Sequence, residues 1–150
     1  MMQSPRPVVL DTNTVMALWW WRDPSLSALA QALADGRLEP VARADTLDEF
    51  AHVLAYRQFG VPAEQQTKLF NRYAALCRPC PPALPETATL PRCRDADDQK
   101  FLEVAHAAQA ALLISRDKAL LRLNRHTRIR PLFRILTPEA LCRELSAPPA

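Results

Sequence analysis

Apolar and polar positions alternate along the chain in two periods, which predict short strands and amphipathic helices in turn. Short apolar runs predict strands at 7–10, 38–42, 111–114 and 133–136. Helical spacing of apolar residues predicts helices at 12–20, 24–36, 45–56, 62–76, 97–110, 118–123 and 138–145. Strands that alternate with helices over one short chain predict an α/β fold with a parallel sheet covered by helices on both faces.

One segment breaks this pattern. Residues 78–91 contain prolines at 79, 81, 82, 85 and 91. Proline lacks the backbone N–H that helices and sheets need, so we expect a surface connection with at most a very short strand there. We see no internal repeat and expect a single domain over residues 1–150, with its core at about 7–145.

The composition is that of an ordinary globular protein, with 49% hydrophobic and 23% charged residues. No apolar run approaches the roughly 18 residues that cross a bilayer. The segment MMQSPRPVVL has neither the apolar stretch nor the cleavage site of a signal peptide. We therefore expect a cytoplasmic protein without a membrane partner.

The positions of the cysteines and glycines exclude some kinds of binding site. The four cysteines are expected to be free thiols, and the CxxC pair Cys77 and Cys80 has no second pair with which to complete a zinc site. With Gly36 and Gly60 as the only glycines, neither GxGxxG nor GxxxxGK[ST] can be written. We therefore do not expect a nucleotide cofactor.

Two carboxylates follow predicted strands. Asp11 ends the apolar run 8–10, and Asp117 comes three residues after the run 111–114. In open α/β sheets, ligands bind at the carboxyl ends of the strands, so we expect both side chains at one edge of the sheet. The alternative for the first segment is that Asp11, Thr12 or Asn13 only caps the following helix. The alternative for the second is that Ser115 caps the next helix and Asp117 only stabilises its first turn through the helix dipole.

A third carboxylate lies in the segment ADTLDEFAHVL. Asp45 and Asp48 have the spacing of a capping box, which leaves Glu49 without a capping role. Glu49 is about 100° around the helix from the apolar Phe50, so it flanks the buried stripe and can reach a site at the edge of the sheet. The alternative is an ordinary exposed glutamate.

A fourth carboxylate lies in CRDADDQKFLEVA, where three acids follow one another. Asp95 or Asp97 suits a helix cap. Asp98 is three and four residues before Phe101 and Leu102, so it begins the stripe that faces the core. A carboxylate there is costly unless hydrogen bonds or a cation compensate it, which favours a functional role for Asp98.

Together, these segments resemble the PIN-domain nucleases, and within them the bacterial toxin–antitoxin PIN toxins (VapC-like). The matching segments are VVLDTNTVMAL, ADTLDEFAHVL and CRDADDQKFLEVAHAAQAALLISRDKALL, and the resemblance covers about residues 7–136. It implies a three-layer α/β/α sandwich and a metal-dependent ribonuclease site. It places the catalytic and metal-binding acids at Asp11, Glu49, Asp98 and Asp117, with supporting polar side chains at Asn13 and Ser115. Arg116 departs from the subfamily, which more often has a small residue there.

The residue types indicate the metal independently of the resemblance. Oxygen ligands without paired His or Cys select a hard cation, Mg²⁺ or Mn²⁺. One ion, or two about 3.5–4 Å apart, would activate water and stabilise the leaving oxygen in phosphodiester hydrolysis. We expect Asp11 and Asp98 as direct ligands and Asp117 as a ligand or a supporting residue. Glu49 would bind the second ion or position the attacking water.

The net charge of +3 is unevenly distributed, because seven basic residues and one acid lie between 116 and 134. A basic segment beside a carboxylate cluster fits a polyanionic substrate such as RNA. The candidate substrate-binding residues are Arg116, Arg122, Arg125 and Arg128. The alternative is a solvated arginine-rich face.

Trp19, Trp20 and Trp21 are consecutive, so one helix face cannot bury all three indoles. An exposed tryptophan favours a protein interface, either of a homodimer or with an antitoxin, over core packing or RNA stacking. The three histidines, at 52, 106 and 126, lack metal-ligand spacing and are expected to be non-catalytic.

The sequence thus predicts a Mg²⁺- or Mn²⁺-dependent endoribonuclease that acts as the toxin of a type II toxin–antitoxin pair. The alternatives are a housekeeping RNA-processing nuclease and a non-catalytic PIN-fold binding module. A haloacid-dehalogenase-like enzyme also begins with an acid at the end of a strand. It would require a second Asp at position 13, which is Asn.

Overall fold

Five parallel strands form the centre of the computed structural model, which describes residues 4–147. Their order across the sheet is β3-β2-β1-β4-β5. The strands are β1 (Arg6–Leu10), β2 (Leu38–Ala42), β3 (Arg78–Pro79), β4 (Leu112–Ile114) and β5 (Arg134–Leu136). The four predicted strands are confirmed, and β3 is the very short strand that the proline-rich segment still permits.

All seven predicted helices are present between residues 4 and 147. They are α1 (Thr12–Trp19), α2 (Ser27–Ala34), α3 (Ala44–Leu54), α4 (Ala63–Leu76), α5 (Gln99–Ala107), α6 (Lys118–Arg122) and α7 (Pro138–Ser146). Two predicted helices begin differently, because 3-10 turns at Pro24–Leu26 and Ala96–Asp98 precede α2 and α5. Such turns are frequent at helix ends.

Two hydrophobic cores lie on opposite faces of the sheet because successive strand side chains point to opposite sides. In β1, Val8 and Leu10 enter the core formed with α1, α2, α3, α4 and α7, whereas Val9 enters the core formed with α5 and α6. In β4, Leu113 joins Val9, and its neighbours face the other way. The three-layer α/β/α sandwich is therefore confirmed.

The strand order at the centre of the sheet indicates where a functional site would lie. β1 pairs with β2 on one side and with β4 on the other, with Leu10 opposite Ile114. The chain leaves β1 toward β2 on one side, and it later crosses back from β3 to β4 on the other side. The crevice beyond the carboxyl ends of β1 and β4 is thus the kind of position where α/β sheets bind ligands. Asp11 and Ser115 are the first residues after these two strands.

The start of α3 differs from the prediction. The Thr46 hydroxyl accepts the backbone N–H of Arg43 at 3.0 Å and donates to the Arg43 carbonyl at 2.9 Å. Asp45 forms a two-pronged ion pair with the Arg43 guanidinium, with both N–O distances 2.8 Å. The predicted capping box of Asp45 and Asp48 is wrong, because Thr46 satisfies the helix end and Asp45 is drawn to the guanidinium.

Two further predictions concern the cysteines and the helices. Cys77, Cys80, Cys93 and Cys142 are free thiols. Among residues 4–147, no helix is both long and apolar enough to cross a membrane.

Candidate metal centre

Asp11 caps α1 and is almost fully buried, with 5% of its surface exposed. Its Oδ1 accepts the backbone N–H of Thr14 at 2.9 Å and the Thr14 hydroxyl at 2.6 Å. Its Oδ2 accepts the Ser115 hydroxyl at 2.5 Å. Burial raises the pKa of Asp11, and the hydrogen bonds from Ser115 and Thr14 oppose that rise. The carboxylate is thereby held in one orientation behind the carboxyl edge of the sheet.

Ser115 connects Asp11 to Asp117. Besides donating to Asp11, its fully buried hydroxyl accepts the backbone N–H of Asp117 at 2.9 Å. Asp117 caps α6, with Oδ1 accepting the N–H groups of Ala119 and Leu120 at 2.8 and 3.2 Å. Among the described residues, these bonds use Oδ1 and leave Oδ2 of Asp117 without a protein donor. Capping and ligand binding are therefore compatible in this side chain.

Asp117 is also one of three carboxylates that lie close together in this region. One oxygen each from Asp95, Asp98 and Asp117 lies within 4.8 Å of the other two. The pKa of Asp98 is raised to about 7, and desolvation is the largest cause. Four neighbouring carboxylates add to that rise, in the order Asp117, Asp95, Asp11 and Glu49. Asp98 is thus close enough to all of them to be affected by their charges, and a cation among them would relieve their mutual repulsion.

Glu49 reaches the site from α3. Its Oε2 accepts the hydroxyl of Thr12, the residue after Asp11, and its Oε1 accepts Nζ of Lys100 at 2.8 Å. Both carboxylate oxygens therefore have protein donors. The four acids expected from the sequence lie in one region, although Asp11 and Glu49 are outside the three-carboxylate group found among the described residues.

The other predicted site residues are exposed, and one of them is engaged in ion pairs. Asn13 is exposed on the first turn of α1, and its supporting role stays a prediction. The guanidinium of Arg116 is paired with Asp23 at 3.2 Å and with Glu139 at 2.6 Å. Binding of a substrate phosphate by Arg116 would have to compete with these two carboxylates.

The remaining candidate arginines are solvent-accessible. Arg122, Arg125 and Arg128 are all exposed. Arg128 donates from its guanidinium to the carbonyl of Thr89 at 3.0 Å, which ties it to the proline-rich connection. Accessibility is compatible with phosphate binding and also with a solvated face, so their role stays a prediction.

Two residues of the site were missed or left undecided from the sequence. Asp95 caps the 3-10 turn, accepting the N–H of Asp97 at 3.0 Å, and it also belongs to the carboxylate group. Lys100 was not considered, although it follows Asp98 by two residues. The sequence did show a lysine at the start of a helix that begins with acids. That pattern is equally typical of a lysine exposed to solvent.

A parallel sheet with carboxylates gathered at its carboxyl edge is an arrangement that suits the binding of a divalent metal. The family model described as "PIN domain" matches residues 7–119, more than half of the chain. The chain therefore belongs to the PIN-domain family, whose members are typically nucleases that use divalent metals. A search of curated proteins found no match.

The carboxylate group fits such a metal. It offers only oxygen donors, from three side chains that are partly or fully accessible to solvent, and carboxylates with water are the ligands that Mg²⁺ and Mn²⁺ prefer. A nuclease domain acts on nucleic acid, so the substrate is a polyanion whose charge the ion would also relieve. The site can thus serve metal-assisted phosphodiester hydrolysis.

Proposed function

We propose that the protein is a Mg²⁺- or Mn²⁺-dependent endoribonuclease that acts as the toxin of a type II toxin–antitoxin pair. The observation that supports it most directly is the convergence of Asp95, Asp98 and Asp117, with the pKa of Asp98 raised to about 7. Carboxylates that repel one another in this way form a site whose charge is balanced when a divalent cation binds.

The ion would be held by Asp98 and Asp117, with Asp95 and Asp11 completing the set. Among the described residues, Oδ2 of Asp11 accepts one hydrogen bond, from Ser115, and so retains a lone pair for an ion. Oδ2 of Asp117 faces no protein donor in the same part of the chain. Glu49 has two candidate roles, as ligand of a second ion or as the group that orients the attacking water.

The protein supplies orientation for this reaction. Ser115 and Thr14 fix the Asp11 carboxylate, and the first turn of α6 fixes Asp117. When bound, a divalent ion supplies a Lewis acid that polarises the phosphodiester and acidifies a nearby water. Carboxylates held by hydrogen bonds need little reorganisation on the way to the transition state, which is a major source of catalysis in such sites.

RNA rather than DNA is the proposed substrate, and the exposed arginines of the segment 122–128 would contact its phosphates. This part of the proposal derives from the resemblance to PIN toxins and from the charge distribution. It is tested by comparing single-stranded RNA and DNA of the same sequence. Cleavage of RNA alone is expected.

The decisive experiment is cleavage of single-stranded RNA in Mg²⁺ or Mn²⁺ and in EDTA, with Asp98→Asn as the active-site variant. We expect EDTA and Asp98→Asn each to lower the rate by at least about 10²-fold. Asp48→Asn is the matched control, because Asp48 is an exposed acid on α3 next to Glu49. Cleavage that persists in EDTA would exclude the metal-dependent reaction.

The toxin role is a separate part of the proposal. Trp21 is 49% exposed and packs edge-on against Phe59, next to Tyr56, which is 45% exposed. Two exposed aromatic side chains, Trp21 and Tyr56, that both pack against the half-buried Phe59 support a protein-contact surface for an antitoxin or a second copy. This agrees with the expectation that the three indoles cannot all be buried.

Two measurements test this part. Induced expression in a bacterial host should arrest growth, and Asp98→Asn should abolish the arrest at equal protein levels. Growth that continues while the purified enzyme cleaves RNA would favour the housekeeping nuclease. Sedimentation analysis should give a dimer for the wild type and a larger monomer fraction for Trp21→Ala.

A further inference from the structure

Lys100 is the basic residue in contact with the acidic site. It is the second residue of α5, and its Nζ lies 2.8 Å from Oε1 of Glu49 and contacts the carbonyl of Asp97. The ammonium also lies 5.3 Å from the centre of the Phe101 ring, and its side chain is 16% exposed. Three contacts and low exposure hold the charge in one place, unlike the mobile ammonium of a surface lysine.

Glu49 receives donors on both carboxylate oxygens. Oε1 accepts Lys100 and Oε2 accepts the Thr12 hydroxyl. A divalent ion bound to Oε1 at the usual distance of about 2.1 Å would lie at most about 5 Å from Nζ of Lys100. Two positive charges at that separation, in a partly buried site, repel each other strongly. Glu49 is therefore charge-balanced by the protein itself.

We propose that the ammonium of Lys100 takes the place of a second metal ion, so that the site binds one divalent ion rather than two. The inference rests on the proposed metal-dependent function and specifies it further. The single ion binds on the side of Asp98 and Asp117, where no lysine or arginine is paired with these carboxylates among the described residues. Glu49 is then a positioning residue, held by Lys100 and Thr12, and not a metal ligand.

The number of bound ions tests this directly, without RNA and without activity. Free Mn²⁺ is titrated by electron paramagnetic resonance against the full chain at neutral pH. We expect one Mn²⁺ per wild-type chain and two per Lys100→Met chain, because Oε1 of Glu49 is then free to bind an ion. The double variant Lys100→Met with Glu49→Gln should return to one.

Matched variants separate charge from side-chain shape. Lys100→Arg keeps the positive charge and should bind one ion. Lys68→Met removes an exposed lysine on α4 and should also leave the count at one. Glu49→Gln alone should still bind one Mn²⁺, although more weakly than the wild type, because the charge of Lys100 is then uncompensated. This last variant tests the proposal without altering Lys100.

The outcomes are distinguishable. Two Mn²⁺ in the wild type, or one in a Lys100→Met chain with the wild-type circular dichroism spectrum, overturns the proposal. Loss of Mn²⁺ binding in the double variant Lys100→Met with Glu49→Gln, which keeps the net charge of the wild type, also overturns it, because Glu49 would then be a ligand. No bound Mn²⁺ in the wild type would overturn the proposed metal site itself, and the one-ion inference with it.

Discussion

Ser115 and Asp11 are joined by a hydrogen bond of 2.5 Å between the hydroxyl and Oδ2, although they are 104 positions apart in the chain. The bond connects the ends of the two central strands, and both side chains are buried. Since Asp11 has few other donors, the serine hydroxyl is one of the main groups that compensate its desolvation.

Ser115→Ala should therefore destabilise the protein. Removing a donor from a buried carboxylate leaves part of its desolvation cost uncompensated, which is worth about 1–3 kcal/mol. Chemical denaturation in EDTA measures the loss. Ser146→Ala, at the exposed end of α7, is the control and should change stability by less than about 0.5 kcal/mol. Equal stability of the two variants would show that the Ser115 hydroxyl does not compensate the desolvation of Asp11.

The raised pKa of Asp98 predicts a pH dependence with a definite sign. The ordinary pKa is 3.8 and the folded-state pKa is about 7, so Asp98 contributes stability at low pH that is lost as the pH rises through this range. In EDTA, Asp98→Asn should become increasingly more stable than the wild type between about pH 4 and pH 7. Melting temperatures of the two proteins across this range measure the difference. A difference that does not vary with pH would contradict the shift.

Metal binding should raise the melting temperature of the wild type. An ion that binds the folded state alone adds RT ln(1 + [L]/Kd), about 2.7 kcal/mol at a hundredfold excess over Kd. Asp98→Asn should lose most of this shift because it lacks one of the converging carboxylates. Asp48→Asn should keep it. If Mn²⁺ raised the melting temperature of all three proteins equally, the ion would not be bound at this site.

The exposed arginines predict a change in salt dependence. For single strands, log K falls with log salt by about 0.7 per phosphate contact. Replacing Arg125 and Arg128 with Gln should make the slope shallower by roughly 1 to 1.5, equally for all RNA sequences. Filter binding in EDTA, which prevents cleavage, measures the slope. Gln at Arg57 and Arg143, both exposed, is the control, and the same slope in both variants would indicate a solvated face.

Arg116 should behave differently from these arginines. Its guanidinium is already paired with Asp23 and Glu139, so Arg116→Gln is expected to leave the salt slope unchanged. Exposed ion pairs contribute little, so the stability should fall by less than about 1 kcal/mol. A shallower salt slope in this variant would instead support the substrate-binding role expected from the sequence.

The fold could be predicted largely from the sequence, because its elements depend on local patterns. The alternation Val8, Val9, Leu10 places side chains in two cores, and both cores exist. The cap of α3 could not be predicted in the same way. Asp45 is a residue type that often caps helices, but here it pairs with the guanidinium of Arg43. Which of two nearby partners a side chain binds depends on side-chain positions, and residue spacing does not define these.

The candidate site could be predicted in part. Strand ends placed Asp11 and Asp117, and the apolar stripe of α5 indicated Asp98. The inclusion of Asp95 and the pairing of Lys100 with Glu49 depend on contacts between distant segments, here 51 positions apart. The apolar periodicity within one segment does not predict such contacts between segments. The role of each acid therefore stays a prediction that only experiment can test.

The pairing of β1 with β4 also constrains when an active enzyme can exist. Val8 pairs with Leu112, so the central strand lacks one neighbour until the chain has been synthesised past residue 112. Contacts this far apart in sequence form late, because closing a long loop costs entropy before the contacts compensate it. Asp11 leaves the ribosome well before Ser115 and Asp117, and its bond to Ser115 must wait for 104 further positions of synthesis. A nascent chain that has not been synthesised past residue 117 therefore cannot assemble the site, and none of its chemistry is available before that point in translation.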